Sequence, residues 1–132
     1  SENPNDDFNN QILPLKDLGG LVLIEGRTEV VKDVFSLPTN GHTPGHQSLF
    51  LETHNKEKII LTGDLFHNEA QINEQFWCPI FDWNTVMSTI SRVGLLNSAY
   101  KNQWIICTGH LSDDKAIGRI QKNNNGFYWV PI

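Results

Sequence analysis

The sequence predicts an α/β fold, a mixed sheet with a helix packed on one face. Two observations carry this. Short apolar runs broken by Gly, Pro and Asn recur along both ends of the chain, while one longer segment near its middle repeats at helical period. A third observation concerns chemistry: Gly41-His42-Thr43-Pro44-Gly45-His46, Thr62-Gly63-Asp64 and Thr108-Gly109-His110 each end in a metal-friendly side chain. The last two share a format, because Ile59-Ile60-Leu61 and Trp104-Ile105-Ile106-Cys107 are apolar runs followed by Thr-Gly and then Asp or His.

In chain order, residues 1–11 are rich in Asn, Asp and Gln and read as a loop or frayed end. Leu21–Ile24 reads as a short strand, Glu25-Gly26-Arg27 as a turn and Glu29–Val31 as the return strand. Val34-Phe35-Ser36-Leu37 is a further strand, stopped by Pro38. The Asn40-to-Gly45 stretch is too rich in Gly and Pro to be regular. Ser48–Thr53 and Lys58–Leu61 form a hairpin that turns over Asn55-Lys56. Leu65–Trp83 has no period, carries Phe66, Phe76, Trp77, Phe81 and Trp83, and is the kind of long connection that tends to serve function. Asp82 or Asn84 caps the helix that follows. Its apolar stripe is Val86, Ile90, Val93 and Leu96, with Met87 on the flank. A strand at Trp104–Cys107 comes next, and then a hairpin of Ile117–Gln121 with Phe127–Val130 around Asn123-Asn124-Asn125-Gly126.

Composition narrows the class. With 132 residues, a hydrophobic fraction of 39%, seven Phe and four Trp, the chain is one domain's worth of sequence with material for a core. A net charge of −5 argues against nucleic acid and anionic membranes as partners, since both require a basic face. No apolar run approaches the ~20 residues of a membrane span. Cys78 and Cys107 are the two cysteines, too few for a disulfide scaffold and not in CxxC spacing. This usage is compatible with a reduced, cytoplasmic setting.

Each ending has a plain reading as well as a chemical one. His46 alone reads as a loop histidine bonded to its neighbours, Asp64 alone as a strand-end Asx turn, and His110 alone as a surface histidine. Together they are more specific, because imidazole and carboxylate are the donors that a borderline divalent ion such as zinc accepts. In the loop, the glycines allow close backbone approach and Pro44 stiffens the presentation of His46.

GHTPGHQS at 41–48, TGD at 62–64 and TGH at 108–110, in this order, resemble the second half of the metallo-β-lactamase-fold hydrolase superfamily. LTGDLFHNEAQ at 61–71, WCPIFDW at 77–83 and GFYWVPI at 126–132 look closest to the branch that includes methyl parathion hydrolase, with N-acyl homoserine lactonases somewhat further off. The resemblance implies that 21–132 is the C-terminal half of an αββα sandwich, and that residues 1–20 are an N-terminal loop or the remnant of a preceding segment. It implies that His46 binds one metal, Asp64 bridges two, and His110 binds the other, with Asp64 counted as catalytic. The superfamily's His-x-His-x-Asp-His signature, which supplies the other four ligands, is absent from this sequence. His42 and His67 are expected to shape the site from behind the ligands or to reach the pocket, and Phe66 and Trp77 to line it.

The expected function is therefore metal-dependent hydrolysis of an ester, lactone or phosphotriester, with two divalent ions, zinc first among them, in the complete enzyme. The expected partners are a small-molecule substrate and either the half that carries the other ligands or a second copy of this chain. The alternative is an inert fragment or non-catalytic module that needs that missing half or partner chain.

Overall fold

A computed structural model describes residues 8–132. Seven strands form one sheet in sequential order: β1 (Glu29–Val31), β2 (Val34–Pro38), β3 (Gln47–Glu52), β4 (Lys58–Leu61), β5 (Ile105–Cys107), β6 (Ile117–Asn123) and β7 (Gly126–Pro131). Neighbours are antiparallel except β4 and β5, which run parallel with Leu61 opposite Cys107. A parallel pair needs a long crossover, and here it includes the 18-residue helix α2 (Thr85–Asn102). The short helix α1 (Leu13–Asp17) lies upstream.

Strand alternation divides the sheet into two faces. Phe50, Ile60, Ile106 and Gly118 are register neighbours on one face, and the first three are at most 7% exposed. Leu65, Phe66, Ile72, Leu95, Leu96, Ala99, Ile120, Phe127 and Trp129 complete that core. The next row, Leu49, Leu61, Cys107 and Ile117, points the other way; its Leu49, Leu61 and Ile117 are 36%, 39% and 45% exposed. The sheet is thus covered by a helix on one side and open on the other among the described residues. No described helix is long and apolar enough to cross a membrane.

Most strand positions follow the sequence reading, and three points do not. Leu21–Ile24 forms no strand: Val22 and Leu23 are 80% and 87% exposed, and β1 instead pairs with β2 through a tight turn at Asp33, whose φ is 65°. The part of the expected 1–11 loop that is described, from Phe8, is a π-helical turn running into α1, whose start Pro14 favours with its fixed φ; residues 1–7 lie outside the described residues. Of the two caps the sequence offers for α2, the structure uses Asn84, whose side chain accepts from Met87 N–H at 3.0 Å. The buried face of α2 is Ser88, Arg92, Leu95 and Ala99, with Leu96 alongside, whereas Val86 and Ile90 are each 66% exposed. Of the expected stripe, Leu96 is buried and Val93 half-buried, while Val86 and Ile90 face outward because a buried arginine occupies the centre of the packed face.

Candidate metal centre

The parallel pairing of β4 and β5 brings the two Thr-Gly endings to one edge of the sheet. Thr62 extends the strand contact, its N–H donating to Cys107 O at 2.9 Å and its hydroxyl to the same oxygen at 3.2 Å. Thr108 N–H likewise donates to Ala116 O at 2.9 Å. Gly63 then turns the chain at φ 54°, and a Cβ there would lie only 3.0 Å from His46 Nε2. Asp64 and His110 emerge side by side, and His110 Nε2 lies 2.7 Å from Asp64 Oδ1.

The Gly-His-Thr-Pro-Gly-His loop is docked onto the start of α2. Asn84 N–H donates to Gly41 O at 2.9 Å and Trp83 N–H to His42 O at 3.0 Å. Gly41 has φ 141°, and any side chain there would collide with the backbone nitrogen of Ser88. His46 Nδ1 lies 2.9 Å from Thr39 O, a carbonyl that can only accept, so this nitrogen carries the proton. His46 Nε2 is then a lone pair, and it accepts from Asp64 N–H at 3.0 Å. His42 Nδ1 is 3.0 Å from Asp82 Oδ1, and its Nε2 is 3.6 Å from Asp64 Oδ2.

The Leu65–Trp83 connection adds His67. Its ring stacks on His110 at 4.6 Å between centroids and lies 5.0 Å from His42. One donor atom from each of Asp64, His67 and His110 falls within 4.8 Å of the others. Phe81 meets the rings of His42 and His67 edge-on at 5.7 and 5.1 Å. Two buried polar groups hold this connection. Gln71 accepts from His67 N–H at 2.7 Å and from Asn68 N–H at 3.2 Å, while its Nε2 donates to Trp77 O at 2.8 Å. Arg92, 1% exposed, donates to Leu65 O at 3.2 Å, Gln75 O at 2.7 Å and Trp77 O at 3.0 Å.

Electrostatics follow this geometry. The hydrogen bond from His110 holds the Asp64 carboxyl below its usual range against some burial, with help from His42. Burial, and then the neighbouring His110 and His42, push His67 below the usual histidine range. An anionic Asp64 carboxylate and an imidazole of His67 that favours its neutral form suit metal ligation. His67 Nδ1 is buried with no hydrogen-bond partner, and so is Asp82 Oδ2. Donor chemistry, spacing and these orphaned atoms fit a divalent cation.

Five of the residues expected from sequence, His42, His46, Asp64, His67 and His110, meet at this edge, with His46 turned to the Asp64 backbone. Phe66 does not line a pocket: it is 1% exposed in the core between sheet and helix. The Trp77 side chain is 60% exposed, and what the connection uses is its carbonyl. Asp82, Phe81, Gln71 and Arg92 were not singled out for the site. Asp82 stood in the sequence as a possible helix cap, and only the fold shows that it faces His42.

No protein-family model matches the chain. An N-acyl homoserine lactonase of Bacillus thuringiensis is 39% identical over 88 residues, which is 67% of this chain and 34% of that protein. The crystal structure of the hydrolase AbOPH of the β-lactamase superfamily aligns at 25% identity and a TM-score of 0.76, over 92% of this chain and 41% of that one. AidC, a dizinc quorum-quenching lactonase solved with a homoserine product, aligns at 21% identity and a TM-score of 0.77, over 98% and 45%, a likeness of fold. The chain spans about a third of the length of the curated relatives it matches and under half of these two structures.

Proposed function

From a chain that belongs to the metallo-β-lactamase-fold superfamily and matches about half of that fold, we propose the ligand-bearing part of a dinuclear metal-dependent hydrolase acting on an ester, lactone or phosphotriester. The observation that carries this is the 2.7 Å approach of Asp64 to His110 at the shared end of two parallel strands, with the His46 loop beside them. His46 would hold one ion, His110 the other, and Asp64, whose two oxygens face His110 and His42, would bridge. The ions, zinc by donor chemistry, supply an activated water near neutral pH and polarise the substrate oxygen. The chain's own residues do the rest. Thr39 fixes the tautomer of His46, the strand ends fix Asp64 and His110, and an open pocket lined by His67, His110, Leu111, Ser112 and Lys115 receives substrate.

Substrate class rests on likeness. The lactonase relatives favour a lactone, while the Trp77-to-Trp83 and Gly126-to-Ile132 segments favour the methyl parathion hydrolase branch and a phosphotriester. The donor count requires further ligands, and the open apolar face through Leu49, Leu61 and Ile117 is where a second sheet layer that brings them would pack. Zinc-loaded protein, supplied with that second layer, is assayed on an N-acyl homoserine lactone and on a dialkyl aryl phosphotriester. Hydrolysis of at least one, lost in His46→Ala and Asp64→Ala, is expected. Absence of bound metal, or full activity in both variants, overturns the reading.

A further inference from the structure

A cleft of about 280 Å³ is walled by Lys56, Glu57, Lys58, Asn102, Gln103 and Arg119. Lys58 opens β4 and Asp64 lies just past its end, so this cleft and the metal centre sit at opposite ends of one strand. The chain has only ten Lys and Arg against fifteen Asp and Glu. This one cleft nevertheless gathers three of those cations and a single carboxylate, which leaves two positive charges uncompensated.

The cations are loosely paired. Arg119 donates through Nη1 to Gln103 O, and its Nη2 lies 3.5 Å from Glu57 Oε1, on a side chain that is mostly exposed. Lys58 Nζ stands 5.9 Å from the centroid of the Phe50 ring, and Glu52 is its register partner on β3. Among the described residues, neither the Lys56 nor the Lys58 ammonium enters an ion pair or a hydrogen bond. Cations near a helix C-terminus also serve its dipole, and Arg119 does so by bonding the carbonyl just past α2. Lys56 and Lys58 bond no carbonyl there, so that service does not account for them.

The backbone supplies a second observation. Asp33, Lys56 and Gln103 are the non-glycine residues with positive φ among the described ones, and two of the three wall this cleft, at 62° and 55°. Left-handed backbone favours glycine, because a Cβ crowds the following carbonyl. Lys56 holds that conformation in the turn between β3 and β4, with its N–H donating to Thr53 O at 2.8 Å. Gln103 holds it where α2 ends, a position that glycine usually takes. Its side chain donates to Tyr100 O at 2.7 Å and accepts from Gln121 Nε2 at 3.3 Å. Strained positions that keep a polar side chain cluster at ligand sites.

We propose that this cleft is an anion site, independent of the metal centre, that takes a phosphate group, either as the free ion or as a phosphomonoester. A phosphate group carries a charge of about −1.5 to −2 near pH 7, which matches the two uncompensated cations, whereas a carboxylate would meet only one. Glu57 is the loose counter-ion that the phosphate displaces from Arg119, whose planar fork suits phosphate oxygens. Lys56 and Lys58 bring point charges from the turn and from the strand.

The 132-residue chain is titrated near neutral pH with inorganic phosphate and, separately, with glycerol 3-phosphate. Chelator keeps the metal centre empty, chloride holds the ionic strength constant, and backbone ¹H–¹⁵N correlations are followed. Saturable one-to-one shifts are expected at Lys56, Glu57, Gln103 and Arg119; tighter binding of the ester assigns the site to phosphomonoesters, and otherwise to the free ion. Lys56→Gly suits the φ of 62°, so it should keep or raise the urea midpoint and yet weaken binding about 10-fold. Arg119→Met should weaken it by about 10- to 100-fold, with Lys58→Met in its place if that variant does not fold. Glu57→Gln should tighten it by about two- to fivefold. Shifts that chloride alone reproduces, shifts confined to the edge that bears Asp64 and His110, or undiminished binding in Lys56→Gly overturn the proposal. The hydrolase reading is untouched by any of these results, because it stands or falls on the metal.

Discussion

Removing the Arg92 side chain tests how the site is held in place. The guanidinium is buried on the inner face of α2 and bonds the carbonyls of Leu65, Gln75 and Trp77, with Cys78 Sγ at 3.7 Å. Among the described residues no carboxylate bonds it, so carbonyl dipoles take the place of a counter-ion. Arg92→Met keeps most of the apolar stem and deletes every donor. Trp77 O retains its bond from Gln71, so Leu65 O and Gln75 O are the carbonyls deprived. Hydrogen bonds to a charged group contribute about 1.5–3 kcal/mol each. Two lost in full and a third in part, offset by release from burying a cation, predict a destabilisation of about 3–5 kcal/mol. With an m-value of about 2 kcal/mol/M, the urea midpoint falls by about 2 M. Arg92→Lys should recover less than half, because one ammonium cannot reach carbonyls bonded separately by Nε and Nη1. The assay is equilibrium urea unfolding by circular dichroism and tryptophan fluorescence. A loss under about 1 kcal/mol for Arg92→Met, or full rescue by lysine, would show that the connection bearing His67 is held by something else.

Other outcomes follow from the same geometry. Gly41→Ala combines φ 141° with a collision against the Ser88 backbone, so it should cost about 2–5 kcal/mol and lower Tm clearly; Gly45→Ala, which meets nothing within 4 Å, should cost under about 1 kcal/mol, and equal effects would contradict the docking of this loop. The pH dependence of the metal-free chain is set in part by His67. Its folded pKa lies below the unfolded value of about 6.5, so the folded state binds fewer protons; this contribution is complete above about pH 6.5 and declines as pH falls through that value toward the folded pKa. Asp64, also lowered, adds a stabilisation that is present above about pH 4 and lost as pH falls through its folded pKa. In chelator, the urea midpoint should therefore fall between pH 7 and pH 5, and less steeply in His67→Gln. An identical slope in that variant would refute the assignment.

The sequence made the strand ends legible because their chemistry is local. An apolar run, Thr-Gly, and then Asp64 or His110 states where a strand stops and what it presents, and the parallel pairing of β4 with β5 makes the two endings neighbours. The hairpins at Lys56 and Gly126 were legible for the same reason. What escaped depends on distant partners. Arg92 reads as a surface residue on any periodicity count, yet it is buried because three carbonyls of an irregular connection converge on it. Asp82 reads as a cap until the 41–46 loop folds against it. Leu21–Ile24 has the composition of a strand but no pairing partner among the described residues. Phe66 and Trp77 could not be told apart by composition, and the core took one while solvent kept the other.

The central claim, that this edge of the sheet is a metal centre, is tested most directly by diffraction at the zinc absorption edge from crystals of the chain grown with zinc. The account predicts an anomalous peak at ligand distance, about 2.0–2.2 Å, from an Asp64 carboxylate oxygen and His110 Nε2. Crystals in which zinc is bound elsewhere, or in which His110 and Asp64 keep their direct 2.7 Å contact at saturating zinc, would contradict it.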